Sequence, residues 1–126
     1  MDKKLIEWYY NRLQHIAEVF HKQYHGNYGG CGMMAIHICD YLERIGMDCS
    51  VIAFKKVHNN EFVDFKFAEA EHYGISFYDK IINPPGFKNY ITQIKSAKDC
   101  REIIYLKNGG MYNHKYDTTF IKMLYS

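Results

Sequence analysis

The feature that most constrains the fold is the stretch over residues 28–38, where glycines surround a cysteine that opens an apolar segment. Three glycines flank the cysteine: Gly29, Gly30 and Gly32. Glycine permits backbone conformations that are closed to other residues, so this loop allows a second molecule to approach the main chain. Apolar residues then recur at near-helical spacing as far as a stop signal at Gly46. The pattern predicts a buried helix over about 31–45, with Cys31 in its first turn.

Cys31 in that position has the surroundings of a cysteine nucleophile. The first N–H groups of a helix have no partner within the helix, and the helix dipole is positive there. Both effects favour a thiolate and offer donors to an oxyanion, so Gly30 and Gly32 are assigned to an oxyanion loop. The same residues also fit a small apolar cysteine packed behind a loop, since free cysteines are among the most buried residue types.

The composition restricts the classes of protein that the chain can represent. With 126 residues, 48% of them hydrophobic and 24% charged, the sequence predicts a single globular domain over 1–126. The net charge is +2 without a block of Lys or Arg, so we predict no nucleic-acid partner. No apolar run reaches membrane-spanning length, and the first residues lack the apolar core of a signal peptide. We therefore expect no membrane partner and a cytoplasmic location.

The four cysteines form no Cys-x-x-Cys pair, so neither a zinc ribbon nor a thioredoxin-type motif is indicated. In a reducing compartment the expectation is free thiols. Cys39 and Cys100 are interpreted as core thiols, and Cys49 as a strand residue.

Helical periodicity recurs outside the cysteine segment. An apolar stripe predicts a helix over 3–24, with Asp2 as its N-cap. Residues 87–97 are predicted as a short amphipathic helix, and the apolar run 103–106 is either a strand or a helix end. Asp117 is expected to cap a short final helix.

Four stretches are predicted as strands from β-branched content or period-two alternation: 49–57, 61–67, 72–78 and 81–83. The polar segment 68–71 is interpreted as loop or a short helical turn. Residues 79–80 are predicted to make a tight hairpin turn. The segment 84–86 is expected to end the sheet, because its two prolines cannot donate to a ladder.

Cys31 needs a base, and His72 is the strongest candidate. His72 opens one predicted strand and Asn83 ends the next, so a hairpin brings both to the same edge of the sheet. An Asn carbonyl beside the histidine would fix the imidazole tautomer and direct its other nitrogen at the thiol, which is the role of the third residue in a catalytic triad. The alternatives are an edge-strand histidine bonded to backbone and an asparagine that only starts a turn.

This order of residues resembles the papain-like superfamily of cysteine hydrolases, in particular its compact transglutaminase-like and NlpC-like branch from bacteria and phages. The resemblance covers about residues 28–86. It depends on the order and spacing of four short segments: 29–32, 72–77, 79–80 and 81–86. Asn83 stands where this branch more often has aspartate, which stabilises an imidazolium more strongly than an amide does.

The resemblance implies an α+β fold with a papain-like core, in which N-terminal helices pack on an antiparallel sheet of about four strands. It implies acyl transfer at an amide, thioester or ester, in which Cys31 attacks, His72 moves the proton and Asn83 orients His72. A peptide or protein is the implied substrate, and no cofactor is implied. Water as the second substrate gives a peptidase or amidase, and an amine gives a transglutaminase-like enzyme. Gln23 and Asn27 are the candidate side-chain donors to the oxyanion, although neither stands at a diagnostic spacing.

Two other functions fit parts of the sequence. His21 and His25 lie one helical turn apart, the spacing used by zinc sites, with Cys31 or His37 as further ligands. No glutamate stands between them as in His-Glu-x-x-His, so a polar helix end is favoured and we predict no metal. His37 is interpreted as a satisfied core group. The high aromatic content, 17%, also suits a catalytically inactive protein of the same fold that binds a host protein or ligand.

Overall fold

The computed structural model describes residues 2–25, 30–59, 64–86, 89–107 and 114–126. Within these ranges the chain forms four α-helices, four strands and one turn of 3-10 helix. In chain order the helices and strands are α1 (Lys3–Tyr24), α2 (Cys31–Arg44), β1 (Ser50–Lys56), β2 (His72–Phe77), β3 (Lys80–Ile82), β4 (Tyr90–Lys95), α3 (Ala97–Lys107) and α4 (His114–Tyr125). The protein is therefore α+β, as predicted, with its two longest helices before the sheet.

The two N-terminal helices begin and end where their local signals predict. The Asp2 carboxylate accepts the Lys4 N–H at 2.9 Å, and α1 ends at His25 in the left-handed region with φ 53°. α2 starts at Cys31 after the N-cap Gly30, and its last turn is followed by Gly46 with φ 77°. A positive φ of that size favours glycine, which explains why the helix stops there.

The sheet is antiparallel, with strand order β3-β2-β1-β4. α2 packs on β2 and β1, so alternate side chains of these two strands enter the core. The residues of β1 and β2 in that core are Val51, Ala53, Tyr73, Ile75 and Phe77. α1 packs against β3 and α4, and α3 packs against α2. The start of α2 therefore lies over the start of β2.

Residues 87–97 were predicted as a helix, and this is wrong for the part that the structure describes. Residues 90–95 form β4, which pairs with β1 so that Ile52 faces Ile94. The apolar residues at 91 and 94 fit helical spacing, but the open edge of β1 supplies backbone partners that a helix would leave unused. The apolar run 103–106 is helical, since it belongs to α3.

The strand predicted over 61–67 is also wrong in its described part. Residues 61–63 lie outside the described residues, 64–66 have no regular structure, and Phe67–Glu69 is the 3-10 turn. The Glu69 carboxylate accepts the Lys66 N–H at 3.0 Å, which caps this turn while Phe67 enters the core. The prediction that the polar segment 68–71 is a loop or a short helical turn is therefore confirmed.

Smaller boundaries also differ from the prediction. β1 is Ser50–Lys56 rather than 49–57, so Cys49 lies just before the strand; β2 is His72–Phe77 rather than 72–78, and β3 is Lys80–Ile82 rather than 81–83. The hairpin turn lies at 78–79 rather than 79–80, because Lys80 already pairs with Phe77. The segment 84–86 ends β3 but not the sheet, since β4 joins the other side of β1. The final helix begins at His114, so Asp117 lies in its first turn and is not its cap.

Candidate functional site around Cys31 and His72

Cys31 is the first residue of α2, and the residue is 7% exposed. Burial raises the pKa of the Cys31 thiol above its ordinary value of 9.0. Four groups act in the opposite direction on this pKa: the main-chain N–H of Tyr73, the ammonium of Lys107, and the main-chain N–H groups of Gly32 and of Cys31 itself. The sulfur therefore lies in a cradle of main-chain hydrogen-bond donors, as a helix N-terminus predicts.

The strand beside this cradle is β2. β3 pairs with residues 75–77, so no residue of β3 is paired with the start of β2. Tyr73 turns its ring into the core, where its hydroxyl donates to the carbonyl of Phe67 at 2.6 Å. Its main-chain N–H faces the Cys31 thiol. The nucleophile predicted from sequence therefore lies against the residue that directly follows the predicted base.

His72 is half-buried, and its Nε2 lies 2.7 Å from the main-chain oxygen of Asn83. A carbonyl oxygen only accepts, so Nε2 carries the proton in this bond. Burial lowers the pKa of His72 below its ordinary value of 6.5, and the nearby His21 adds to this, while the bond to Asn83 opposes it. At neutral pH the ring is thus neutral, with its lone pair on Nδ1, which is the form that a general base needs.

Asn83 is 6% exposed and adopts the left-handed region with φ 58°. Its N–H donates to the side-chain oxygen of Gln14 on α1 at 2.6 Å. Its carbonyl passes over Gly74, where a Cβ would come within 2.9 Å of the Ile82 oxygen and 3.0 Å of the Asn83 oxygen. The missing side chain at position 74 is therefore what allows this carbonyl to reach His72.

The structure thus joins two of the three predicted residues, and in a different way than predicted. The main-chain carbonyl of Asn83 orients His72, whereas the prediction used the side-chain amide. Among the described residues no hydrogen bond joins the Cys31 thiol to His72. The ring of His72 contacts Phe54, 5.8 Å away between centroids, on the face of β2 opposite Tyr73. The triad as a working unit remains a prediction.

The four residues predicted to bind an oxyanion differ in where the structure places them. Gly30 caps α2, and the N–H of Gly32 is directed at the thiol. Gln23 is solvent-exposed in the last turn of α1, and Asn27 lies outside the described residues. The main-chain N–H groups at the start of α2 are therefore the donors that the described residues provide.

Sequence reasoning missed Gln14, Gly74 and Lys107. A glycine inside a strand pattern signals a close backbone approach, so Gly74 carried a usable signal. Gln14 carried no such signal in the sequence, because its partner Asn83 lies 69 positions away along the chain. The Lys107 ammonium donates to the Ala70 carbonyl and lies 4.9 Å from the centroid of the Tyr73 ring.

The rings of His21 and His25 lie 6.4 Å apart at the end of α1. In the part of the chain that the structure describes, no group of three His, Cys, Asp or Glu side chains could hold a metal ion. Over the same residues, no helix combines the length and apolarity needed to cross a membrane.

A second polar cluster lies farther along α2. His37 Nε2 is 2.5 Å from the Asp117 carboxylate of α4, and Asp40 pairs with Arg101 of α3. Asp117, Arg101 and Asp40 also act on the pKa of Tyr105, which is raised chiefly by burial. His37 was predicted as a satisfied core group, and the structure gives it a carboxylate partner. These contacts tie three helices together.

Comparison with models of known protein families, with curated proteins and with solved structures gives no significant match to this chain. The resemblance to papain-like hydrolases therefore remains a prediction from motif order.

Proposed function

We propose that this protein is a cysteine-dependent acyl-transfer enzyme of the papain-like type, with Cys31 as nucleophile and His72 as base. The observation that carries the proposal is the position of the Cys31 sulfur. It faces the N–H of Tyr73, the residue that follows His72 in β2, and the Nε2 proton of His72 is held by the Asn83 carbonyl. These are two of the features that thiol acyl transfer requires: hydrogen-bond donors around the sulfur and a histidine with a fixed tautomer.

Acylation would proceed in two steps. His72 Nδ1 takes the thiol proton as the sulfur bonds to the acyl carbon. The oxyanion that develops accepts hydrogen bonds from the main-chain N–H groups at the start of α2. The tetrahedral intermediate then collapses, and the leaving amine, alcohol or thiol receives the proton from His72. Water or an amine next attacks the thioester carbon and loses its proton to His72. The C–S bond then breaks, the acid or amide leaves, and His72 returns the proton to the Cys31 sulfur.

The mechanism requires the His72 imidazole to approach the thiol when an acyl donor binds. Catalytic hydrogen bonds are often long or absent in unliganded enzymes and tighten in the substrate complex. Because Asn83 holds Nε2 through its main chain, the ring keeps the tautomer that acylation needs until it turns.

A peptide or protein substrate suits the surface beside this site. A groove of about 380 Å³ follows α1 next to Asn83, and it combines apolar surface with polar side-chain groups. Its lining residues are His15, Glu18, Val19, His21, Lys22 and Asn83. An extended chain can lie in such a groove with its backbone groups near polar side chains.

The test uses p-nitrophenyl acetate as a generic acyl donor, with intact-protein and peptide mass spectrometry. We expect a burst of p-nitrophenol and an acetyl thioester on Cys31. The half-exposed Cys49 provides the internal control, since its thiol lies outside the cradle. His72→Ala should slow both acetylation and its reversal by water. Acetylation of Cys49 at a rate equal to that of Cys31, or an unchanged rate in the His72 variant, would contradict the proposal.

A catalytically inactive binding protein is the second candidate. It is favoured by the burial of Cys31 and by exposed apolar residues on α1, where Trp8 is 56% exposed. In that case Cys31 would be acetylated more slowly than Cys49, as burial alone dictates.

A further inference from the structure

We propose that Gln14 is a positioning residue for His72 and acts on it through the main chain of Asn83. The proposal rests on the function proposed above, in which His72 is the base, and it assigns a role to a side chain of α1. Asn83 connects the two residues. Its N–H donates to Gln14 Oε1 at 2.6 Å, and its carbonyl accepts the His72 Nε2 proton at 2.7 Å. Gln14 therefore holds one side of the residue whose other side holds the imidazole.

The backbone of Asn83 needs support from outside its own segment. Its φ is 58°, in the left-handed region that residues other than glycine rarely adopt, and Pro84 follows it. The ring of a proline restricts the preceding residue to extended conformations, so local preference opposes the observed φ on two counts. A conformation of this kind persists only where surrounding contacts hold it. The hydrogen bonds to Gln14 and His72 are two such contacts.

The Gln14 amide can serve Asn83 in one orientation only. Its Nε2 donates to the carboxylate of Glu18, one helical turn later, at 3.1 Å. A carboxylate accepts hydrogen bonds and a main-chain N–H donates them, so the amide must turn its nitrogen to Glu18 and its oxygen to Asn83. A reversed amide would lose both bonds. Because Glu18 is exposed, this chain of hydrogen bonds runs from the surface of α1 to the half-buried His72.

Removal of the Gln14 oxygen would take away the acceptor of the Asn83 N–H. Asn83 is 6% exposed, so water cannot readily replace that acceptor. The segment would then relax toward the extended backbone that is favoured before Pro84, and the Asn83 carbonyl would turn away from His72. Without that bond the proton is no longer confined to Nε2. The fraction of His72 with a free Nδ1, the form that acts as base in the proposed mechanism, would fall.

The experiment observes the His72 imidazole directly, by NMR of the full chain with isotope-labelled histidine at neutral pH. His72→Gln identifies the His72 signals. In wild type we expect one tautomer, with the proton on Nε2, and exchange of that proton with water slow enough for the signal to be observed. Gln14→Met keeps the length of the side chain but removes the acceptor. It should speed this exchange at least about fivefold and give a mixture of the two tautomers.

An exchange of the two side chains on α1 provides the rescue. Gln14→Glu combined with Glu18→Gln keeps an oxygen for the Asn83 N–H and a hydrogen-bonded pair along the helix, with the same net charge. The double variant should restore the slow exchange of wild type. Glu18→Met alone, at an exposed position, should speed the exchange by a smaller factor than Gln14→Met. If Gln14→Met does not fold, Glu18→Met decides, and exchange equal to that of wild type would overturn the proposal.

Gln93→Met is the matched control. The Gln93 side chain also donates to a main-chain carbonyl, that of Phe65, and β1 separates its strand from β2. The variant should lower the free energy of unfolding without changing the signals of His72, which separates positioning from a general loss of stability. Equal effects of Gln93→Met and Gln14→Met on those signals, slow exchange retained in Gln14→Met, or no rescue by the double variant would each contradict the proposal.

The acyl-transfer proposal can fail separately. If p-nitrophenyl acetate does not acylate Cys31 while Gln14→Met still speeds exchange of the His72 proton, the enzyme proposal falls and the control of the His72 tautomer by Gln14 stands. If acylation occurs and depends on His72, but Gln14→Met leaves both the exchange and the acylation rate unchanged, the reverse holds.

Discussion

α2 carries two polar regions that differ in how their groups are paired. At its N-terminus, the main-chain N–H groups of Tyr73 and Gly32 are directed at the Cys31 thiol. Along its middle, His37 and Asp40 pair with Asp117 and Arg101 from the neighbouring helices. The first region holds a buried thiol beside the end of β2 that β3 does not pair, whereas the second joins two carboxylates to a histidine and an arginine.

The difference separates two uses of polar side chains in one helix. Paired charges between helices fix how those helices dock, and removing one partner leaves the other unpaired. A thiol held by main-chain N–H groups contributes little to docking, since those groups belong to the helix and strand themselves. Substitutions in the first region should therefore change reactivity, and those in the second should change stability.

The largest expected effect is the loss of thiol chemistry in Cys31→Ala. Acetylation by p-nitrophenyl acetate should disappear, while the free energy of unfolding falls by about 1 kcal/mol, because a single buried sulfur is lost. Urea denaturation and mass spectrometry measure the two quantities. Cys39→Ala, at a fully buried position of the same helix, is the control and should leave acetylation at Cys31 intact. Persistent acetylation without Cys31 would refute its role.

Gly74→Ala should be the most destabilising single change near the site. The new Cβ would lie 2.9 Å from the Ile82 oxygen and 3.0 Å from the Asn83 oxygen, so the hairpin must shift at a cost of about 2 kcal/mol. The shift should also weaken the bond from His72 to Asn83 and slow acylation. Gly86→Ala is the control, because a Cβ there meets nothing within 4 Å. Equal free energies of unfolding for the two variants in urea would show that the hairpin accommodates the added Cβ without cost, against the prediction.

Asp117→Asn should lower the free energy of unfolding by roughly 1–2 kcal/mol, because it removes the charged partner of a largely buried His37. Asp40→Asn should cost less, below about 1 kcal/mol, since its pair with Arg101 is more exposed. Neither variant should alter iodoacetamide alkylation of Cys31. A change in that rate would mean that the two regions of α2 are coupled.

The smallest effect is a pH dependence from His72. Its pKa is lower in the folded protein than its ordinary value of 6.5, so the unfolded chain binds more protons in the window between the two values. The stability that neutral His72 contributes is complete above pH 6.5 and is lost as the pH falls through the folded pKa. The difference in unfolding free energy between wild type and His72→Gln should shrink as the pH falls through that window. A difference that stays constant would contradict the lowered pKa.

Sequence alone determined the parts of this protein that local signals specify. Asp2, the apolar stripe of α1 and Gly46 set the helix boundaries, and the glycines around Cys31 predicted a thiol at a helix start. These features depend on residues within a few positions of each other, so periodicity and capping chemistry are enough to find them.

Only the tertiary structure decided the features that depend on distant partners. Residues 90–95 became a strand because β1 offered an unpaired edge, against a pattern that also suits a helix. The bond from Gln14 to Asn83 joins residues 69 positions apart, and the bond from Lys107 to Ala70 joins residues 37 positions apart. Backbone pairing and long-range contacts depend on which surfaces meet after the chain folds. The immediate neighbours of a residue in the sequence therefore cannot predict these contacts.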